Sequence, residues 1–255
     1  MSEEVVKIKK LSEFISYLES LPRNFNLSRG HSKYYPLLPS AFRLDKNGNR
    51  LYRKIDIQSF LEDFKINSHP YISNTYNVGN DKEWMAYAQH YGVPTKLLDF
   101  TRSHIVSLMF ALEKAFDEEN CNDGEVWFLD PVALNEKSTD RSFCKIINIS
   151  THPEELDKAS GPVVVSCKKI HERINAQNGL FVYFQEENSN TALENYIDIT
   201  ILRKVIIDKD SKREILKSLN SLGIGYSSIY PELGSVSKDI ILKRNIEEYL
   251  RMGEE

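Results

Sequence analysis

Helical spacing of apolar residues is clearest in the middle of the chain, between residues 81 and 116. Asp81 can cap a first helix, whose apolar positions recur every three or four residues. Gly92 stands where a left-handed residue commonly ends a helix, and Pro94 prevents its continuation. We therefore expect this helix to end at Gly92, with a positive φ at that residue.

A second helix is predicted to begin near Thr101 and to extend to Phe116. Apolar residues fill most of its positions, so we expect it to be the most buried helix of the protein. Between the two helices, Leu97 and Leu98 form a short apolar elbow that Pro94 stiffens. The polar residues in and beside this elbow are Gln89, His90, Thr95, Asp99 and Thr101.

The rest of the pattern predicts helices mainly before this pair and strands after it. Further amphipathic helices are expected at residues 10–20, 51–66 and 210–222. Strands are expected at residues 25–29, 125–130, 163–168, 180–185 and 196–207. Strands and helices do not alternate one for one, which argues against a doubly wound parallel sheet. The pattern indicates an α+β fold, a single mixed-sheet domain with a helical N-terminal half.

Composition and charge narrow the class of protein without identifying an activity. The 255 residues are 41% apolar and 27% charged, an ordinary globular balance, and the net charge of −4 argues against broad non-specific binding of nucleic acid. The sequence contains no apolar run of about 20 residues, and MSEEVVKIKK lacks the apolar core expected of a secretory signal. We therefore expect a cytoplasmic protein with no membrane partner.

Metal and cofactor sites have no support in the sequence. Cys121, Cys144 and Cys167 are odd in number and form no C-x-x-C pair, so neither a disulfide framework nor a zinc ribbon is indicated. The histidines are scattered singly, and we expect no metal site. The motifs GxxxxGK[ST], GxGxxG, HExxH and GxSxG are absent.

Arg29 and Gly30 are the first candidates for ligand binding. An arginine at the end of a strand can bind a phosphate or carboxylate through two parallel hydrogen bonds, and a neighbouring glycine leaves room for the anion. The alternative is structural: Arg29 pairs with a nearby acid and Gly30 serves a turn. His31 is interpreted as a surface histidine.

His90 and Asp99 are the second candidates, as a general base and the group that orients it. His90 is expected at a helix C-terminus and Asp99 at the foot of the next helix, so folding of the elbow could bring them together. Structurally, Asp99 could instead cap the helix that begins near Thr101, and His90 could hold the elbow shut.

Arg173 and Gln177 form the third pair, four residues apart on a predicted short helix before the Asn178-Gly179 turn. An arginine and an amide suit a phosphate or a sugar hydroxyl, although the pair could simply flank a buried helix face. We expect Arg29, His90, Asp99, Arg173 and Gln177 to surround one concave and positively charged surface.

Several motifs together resemble the FRG domain family. They are SRGHSKYYPLLPSAFR, AQHYGVPTKLLDFT, VSLMFALEKA, RINAQNGLFVYF and SLGIGYSSIYPELGSVSKDI, in this order, and the resemblance extends roughly from residue 22 to residue 240. The family is named for an aromatic-Arg-Gly motif, but Ser28 precedes Arg29 here, and the neighbouring Phe25 could supply the aromatic packing. Lys96 stands where such proteins commonly carry arginine.

The resemblance, together with the apolar spacing at residues 10–20, divides the sequence into an N-terminal amphipathic helix at residues 1–21 and an FRG-like domain at residues 22–255, within one globular unit. It also suggests a setting in conflict between bacteria and phages. The strand-borne Arg-Gly is similar to the opening motif of arginine-type ADP-ribosyltransferases, in which the arginine holds dinucleotide phosphates. Those enzymes use a late glutamate, which Gln177, Gln185 or Glu186 would have to replace here.

Two hypotheses follow from these observations. The first is an enzyme acting on a nucleotide-type substrate, with NAD and ADP-ribosyl transfer as the leading interpretation. Its catalytic residues would be His90 and Asp99, and its substrate-binding residues Arg29, Gly30, Gln89, Thr95, Arg173 and Gln177. The second is a non-catalytic module that binds nucleic acid or protein. The sequence identifies no cofactor other than NAD as a substrate, and no protein partner.

Overall fold

The computed structural model describes residues 5–72, 78–117, 119, 121–142, 145–168 and 176–252. Within them, strands form one mixed sheet with helices packed against it, and the expected α+β single-domain fold is confirmed. The strands are β1 (Val6–Ile8), β2 (Leu27–His31), β3 (Leu97–Thr101), β4 (Gly124–Leu129), β5 (Ile147–Asn148), β6 (Val163–Ser166), β7 (Gly179–Tyr183) and β8 (Leu202–Ile207). The helices are α1 (Leu11–Ser20), α2 (Lys54–Ser68), α3 (Asp81–His90), α4 (His104–Leu112), α5 (Pro131–Thr139), α6 (Leu193–Tyr196), α7 (Lys212–Ser221) and α8 (Leu233–Met252).

The sheet order is β1-β8-β4-β2-β3-β7-β6-β5, and its weakest junction lies in the middle. β2 pairs with β4 through five residues, and β3 pairs with β7 through five. Between β2 and β3 the register contains the single pair Ser28–Thr101. We call the gap that opens between β2 and β3 beyond this pair the seam, and it divides the sheet into two four-stranded halves.

Three clusters of buried apolar side chains hold the helices on the sheet. The first includes Phe14, Leu108, Phe128 and Leu216 and joins α1, α4 and α7 to the β4–β8 side. The second covers the opposite face on both sides of the seam, and the third packs α3 on the β6–β7 side. Burying one such side chain contributes about 2 kcal/mol to the stability of the fold. On one face, each half of the sheet is covered by its own helices, whereas on the opposite face the second cluster forms a core that both halves share.

Among the described helices, α4 is the most buried, as the sequence predicts. Six of its nine residues are buried, and Leu108 and Leu112 are fully so. It begins at His104, however, because Thr101 belongs to β3, and it ends at Leu112 and not at the predicted Phe116. The predicted break after α3 is also confirmed: Gly92 has φ 84°. The N-cap of α3 is Asn80, whose side chain accepts from Lys82 N and Glu83 N, and not Asp81.

The predicted elbow at Leu97 and Leu98 is wrong, because these residues begin the central strand β3. Their side chains point to opposite faces, and both faces are covered by apolar clusters. A short strand that is buried on both sides shows a continuous apolar run without alternation, which the sequence alone cannot distinguish from the start of a helix.

Other element boundaries differ from the predictions by a few residues or more. The strand expected at 196–207 is limited to β8, because α6 precedes it and Ile199 is exposed. The strand expected at 25–29 is β2, so Arg29-Gly30 lies inside it and does not end it. Residues 131–161, for which no helix or strand was predicted, begin with α5, which Asp130 caps. In the described part of the chain, no helix combines the length and apolar character that a membrane span requires.

Candidate functional site

A pocket of about 210 Å³ lies at the seam, where α3 and α4 approach its two sides. It is lined by residues of β2, β3, β7, α3 and α4 and by Gln177, just before β7. The predicted site residues that line it are Arg29, Gly30, Gln89, His90, Asp99 and Gln177. Arg173 lies outside the described residues, so its expected place beside them remains a prediction.

Arg29 bridges the seam where the backbones of β2 and β3 have separated. Its Nη1 donates to the Asp99 carbonyl oxygen at 2.7 Å and lies 3.5 Å from Asp99 Oδ2. The side chain is 16% exposed. Burial lowers the pKa of Arg29, and the Asp99 carboxylate opposes this shift. Arginine nevertheless stays charged in proteins, so a cation lies in the seam.

His31 is buried, which corrects its interpretation as a surface histidine. It follows Arg29 on the same face of β2, because side chains alternate along a strand. Arg29 Nε donates to His31 Nε2 at 2.8 Å, and the histidine is 8% exposed. Burial lowers the pKa of His31 to about 3, with further lowering by Arg29 and Arg43. The imidazole is therefore neutral at physiological pH and acts as an acceptor for Arg29.

Asp99 is a strand residue. The structural alternative, in which Asp99 caps α4, is therefore wrong. Its backbone pairs with Phe181 of β7, and Ser103 occupies the N-cap position of α4. Besides its contacts with Arg29, the carboxylate accepts from Gln89 Nε2 at 3.0 Å. The side chain remains 56% exposed, so this carboxylate is held in place and still reaches solvent.

Thr95 supports the site from behind and does not line the pocket. Its hydroxyl donates to Gln89 Oε1 and accepts from the Leu97 backbone N–H at 3.2 Å. Since the Gln89 amide oxygen is engaged by Thr95, its nitrogen is directed toward Asp99. Thr95 therefore contacts Gln89, and Gln89 faces the pocket, so a direct role of Thr95 in binding substrate stays a prediction.

Gly30 is required for helix packing and not for a turn. It lies inside β2 without a positive φ, and a Cβ atom there would be 1.8 Å from the Ser107 carbonyl oxygen. The absence of a side chain lets α4 lie directly on β2. This close approach brings Ser107 and Phe110 to the pocket that Gly30 also lines.

A buried polar array that was not predicted from the sequence connects β2 to α4. Ser28 Oγ lies 2.8 Å from Ser107 Oγ and 2.8 Å from His104 Nδ1. Both serines are fully buried, and burial lowers the pKa of His104. Buried polar groups need such partners, so the array fixes α4 on the strand that carries Arg29. Along β2 the small residues Ser28 and Gly30 alternate with Arg29 and His31, and this alternation was the signal in the sequence that could have indicated the array.

Gln177 and His90 complete the pocket from opposite sides. The Gln177 carbonyl oxygen accepts from the Thr101 hydroxyl, whereas its buried side-chain nitrogen has no hydrogen-bond partner among the residues that the structure describes. His90 is the last residue of α3, and its ring meets that of Tyr91 edge to face at 4.9 Å. The side-chain nitrogen of Gln177 can therefore donate a hydrogen bond to a molecule bound in the pocket.

The expected positive surface is only partly present. Among the described lining residues, Arg29 is the one lysine or arginine and Asp99 the one carboxylate, so the two charges balance. The pairing of Arg29 with Asp99 agrees with a purely structural role for Arg29. The cavity beside the pair is not explained by such a role. Among the described residues, no group of three or more His, Cys, Asp and Glu could hold a metal ion.

The fold and pocket define an α+β protein with a cavity of about 210 Å³ at a split in its central sheet. The FRG domain family model matches residues 26–120, and the chain carries an FRG domain, as its motifs predict. The matched segment includes β2, α3, β3 and α4, and therefore every described lining residue except those from 177 to 181. No curated protein and no solved structure matches the chain.

Proposed function

We propose that this FRG-domain protein is an enzyme acting on a nucleotide-type substrate, with NAD as the leading candidate and transfer of its ADP-ribose group as the reaction. One observation carries the proposal: a guanidinium, a partly exposed carboxylate, a histidine and an amide whose nitrogen has no partner among the described residues meet in one pocket. These residues are Arg29, Asp99, His90 and Gln177.

Arg29 is suited to the phosphates of such a substrate. Its Nε and Nη1 are bonded to His31 and Asp99, whereas Nη2 makes no hydrogen bond within the described part of the chain. A buried guanidinium attracts an anion more strongly than an exposed one because the local dielectric constant is lower. The remaining N–H groups can meet phosphate oxygens in the planar geometry that arginine favours.

The apolar lining suits a planar ring. Ala86, Val106, Phe110 and Phe181 line the pocket beside the polar groups. Its volume of about 210 Å³ is below the roughly 300–1,000 Å³ typical of sites that bury a drug-sized ligand. We therefore assign the pocket to a ring and the adjoining ribose, with the rest of a dinucleotide outside it.

His90 and Asp99 would handle the proton of the reaction. A nucleophilic oxygen or nitrogen attacks C1′ of the nicotinamide-bearing ribose, and the bond from C1′ to the ring nitrogen breaks. Nicotinamide leaves with the electron pair of that bond, and the proton of the nucleophile passes to His90 or Asp99. Gln89 holds the Asp99 carboxylate at 3.0 Å, which limits its motion during such a step.

A second candidate is a non-catalytic module that binds nucleic acid or protein. It is favoured by the contact between Arg29 and Asp99, because two charges that neutralise each other can simply hold the two halves of the sheet together. For either candidate, the family resemblance suggests conflict between bacteria and phages as the biological setting.

Incubation of the purified protein with NAD, and separately with short RNA, tests the proposal by mass spectrometry. We expect nicotinamide release from NAD, reduced at least about tenfold by Arg29→Lys, which keeps the charge but loses the planar fork. His90→Gln should also reduce it. Arg251→Lys and His152→Gln, at exposed positions away from the pocket, are the matched controls.

The opposite result is equally clear. If the wild-type protein consumes neither substrate and His90→Ala only lowers the melting temperature, the enzyme hypothesis fails. RNA binding without turnover would then support the binding module.

A further inference from the structure

We propose that His31 is a positioning residue, which fixes the Arg29 guanidinium for an anionic ligand without neutralising its charge. This inference rests on the proposed nucleotide site and adds to it a residue that does not line the pocket.

Two hydrogen bonds from different edges fix the plane of the guanidinium. Arg29 Nε donates to His31 Nε2 at 2.8 Å, and Arg29 Nη1 donates to the Asp99 carbonyl oxygen at 2.7 Å. A flexible arginine loses side-chain entropy when it binds an anion, and a fixed one has already lost it. Nη2 is the edge that these two bonds leave for a ligand.

The second observation is an unpaired atom in the His31 ring. Since Nε2 accepts from Arg29, the neutral ring must carry its hydrogen on Nδ1. Nδ1 is buried and has no hydrogen-bond partner within the described residues. An unpaired buried donor costs about 1–3 kcal/mol. Packing alone gives no reason for this cost, whereas the bond to Arg29 explains both the ring orientation and its tautomer.

The surroundings explain why a histidine serves here better than a carboxylate. Glu125 lies opposite His31 on β4, and its carboxylate is paired with Lys204 at 3.1 Å. Tyr35 covers the ring edge to face at 5.8 Å. With Arg29 and Arg43 nearby, the ring stays uncharged. A neutral acceptor orients Arg29 without adding a second negative charge to that of Asp99, whereas a carboxylate at this position would pair with the guanidinium as well.

Three substitutions separate these effects: His31→Gln keeps a neutral acceptor, His31→Leu removes it, and His31→Glu adds a negative charge. The probes are ADP-ribose and inorganic diphosphate, measured by isothermal titration calorimetry. We expect the affinity of the Gln variant to stay within about threefold of wild type and that of the Leu variant to fall about tenfold. The Glu variant should bind diphosphate more weakly still, and His152→Leu should not change binding.

A measurement of Arg29 itself decides the inference independently of folding stability. In ¹⁵N-resolved spectra, the Arg29 Nε–H should exchange slowly with water in the wild type and the Gln variant, and rapidly in the Leu variant. If the wild type binds the probes and the folded Leu variant binds them equally well, the positioning role is wrong but the proposed function stands. If the wild type binds neither probe, the nucleotide site fails, and the positioning role fails with it.

Discussion

Replacing Gly30 by alanine should strongly destabilise the protein. The added Cβ would lie 1.8 Å from the Ser107 carbonyl oxygen, 2.7 Å from its carbonyl carbon and 3.1 Å from the Ala111 nitrogen. All three atoms belong to the α4 backbone, so no side-chain rotation can relieve the overlap. Helix α4 would have to move away from β2 by roughly 1.5 Å, which a close-packed interior resists.

The expected cost is about 3 kcal/mol or more in the free energy of unfolding. Overpacking a core by a methyl group costs about 1–3 kcal/mol, and α4 is the most buried helix. Its displacement would also stretch the 2.8 Å contact between Ser28 and Ser107, adding the loss of a buried hydrogen bond.

Urea unfolding of three glycine variants tests this reasoning. Gly92→Ala should cost about 1 kcal/mol, because φ is 84° but no atom lies within 4 Å of the new Cβ. At Gly234 no atom lies within 4 Å of an added Cβ, and φ is not positive. Gly234→Ala should therefore raise the free energy of unfolding by between zero and about 1 kcal/mol. If Gly30→Ala costs no more than Gly92→Ala, the direct contact of α4 with β2 is wrong.

Three further outcomes are expected. Burial holds the pKa of His31 at about 3 in the fold against 6.5 in the unfolded chain, so the unfolded chain takes up the proton first as the pH falls. The free energy of unfolding should therefore drop by about 2 kcal/mol more in the wild type than in His31→Gln between pH 7 and pH 5; equal drops in urea titrations would contradict this. Gly92→Val should cost on the order of 1 kcal/mol or more by the same assay, and a variant as stable as wild type would exclude the strained turn. Asn80→Ala should cost about 1 kcal/mol through loss of the α3 cap, whereas Asp81→Ala should cost less; the reverse order would restore Asp81 as the cap.

Features that depend on local chain chemistry could be predicted from the sequence. The end of α3 at Gly92 and the burial of α4 follow from a helix-ending glycine and an almost wholly apolar helix. Asp130-Pro131 was an equally local signal for the start of α5, since aspartate caps helices and proline favours their first position. The weak apolar pattern of the residues that follow hid it.

Features that depend on the sheet could not be predicted. Whether Leu97 and Leu98 form an elbow or a strand is decided by β7, which pairs with them from more than 80 residues away. The burial of His31 likewise depends on contacts with β4 and Tyr35 that exist only in the folded sheet. For the site, the residue types and their convergence were predictable, whereas Thr95 and Gly30 acquire their roles from packing partners that only the fold supplies.

The single-pair junction between β2 and β3 has a consequence for how the chain can be divided. Both strands belong to the family segment 26–120, yet each forms its ladder with a strand that comes later in the chain. In the isolated segment, β2 and β3 would pair with each other only through Ser28 and Thr101, and both would lack the strands with which they form their ladders. Unpaired strand edges of this kind favour aggregation over folding. The segment that carries most of the pocket is therefore not an independent folding unit. During synthesis its strands must wait for β4 and β7, and β1 must wait for β8, so the pocket forms only when nearly all of the sheet has left the ribosome.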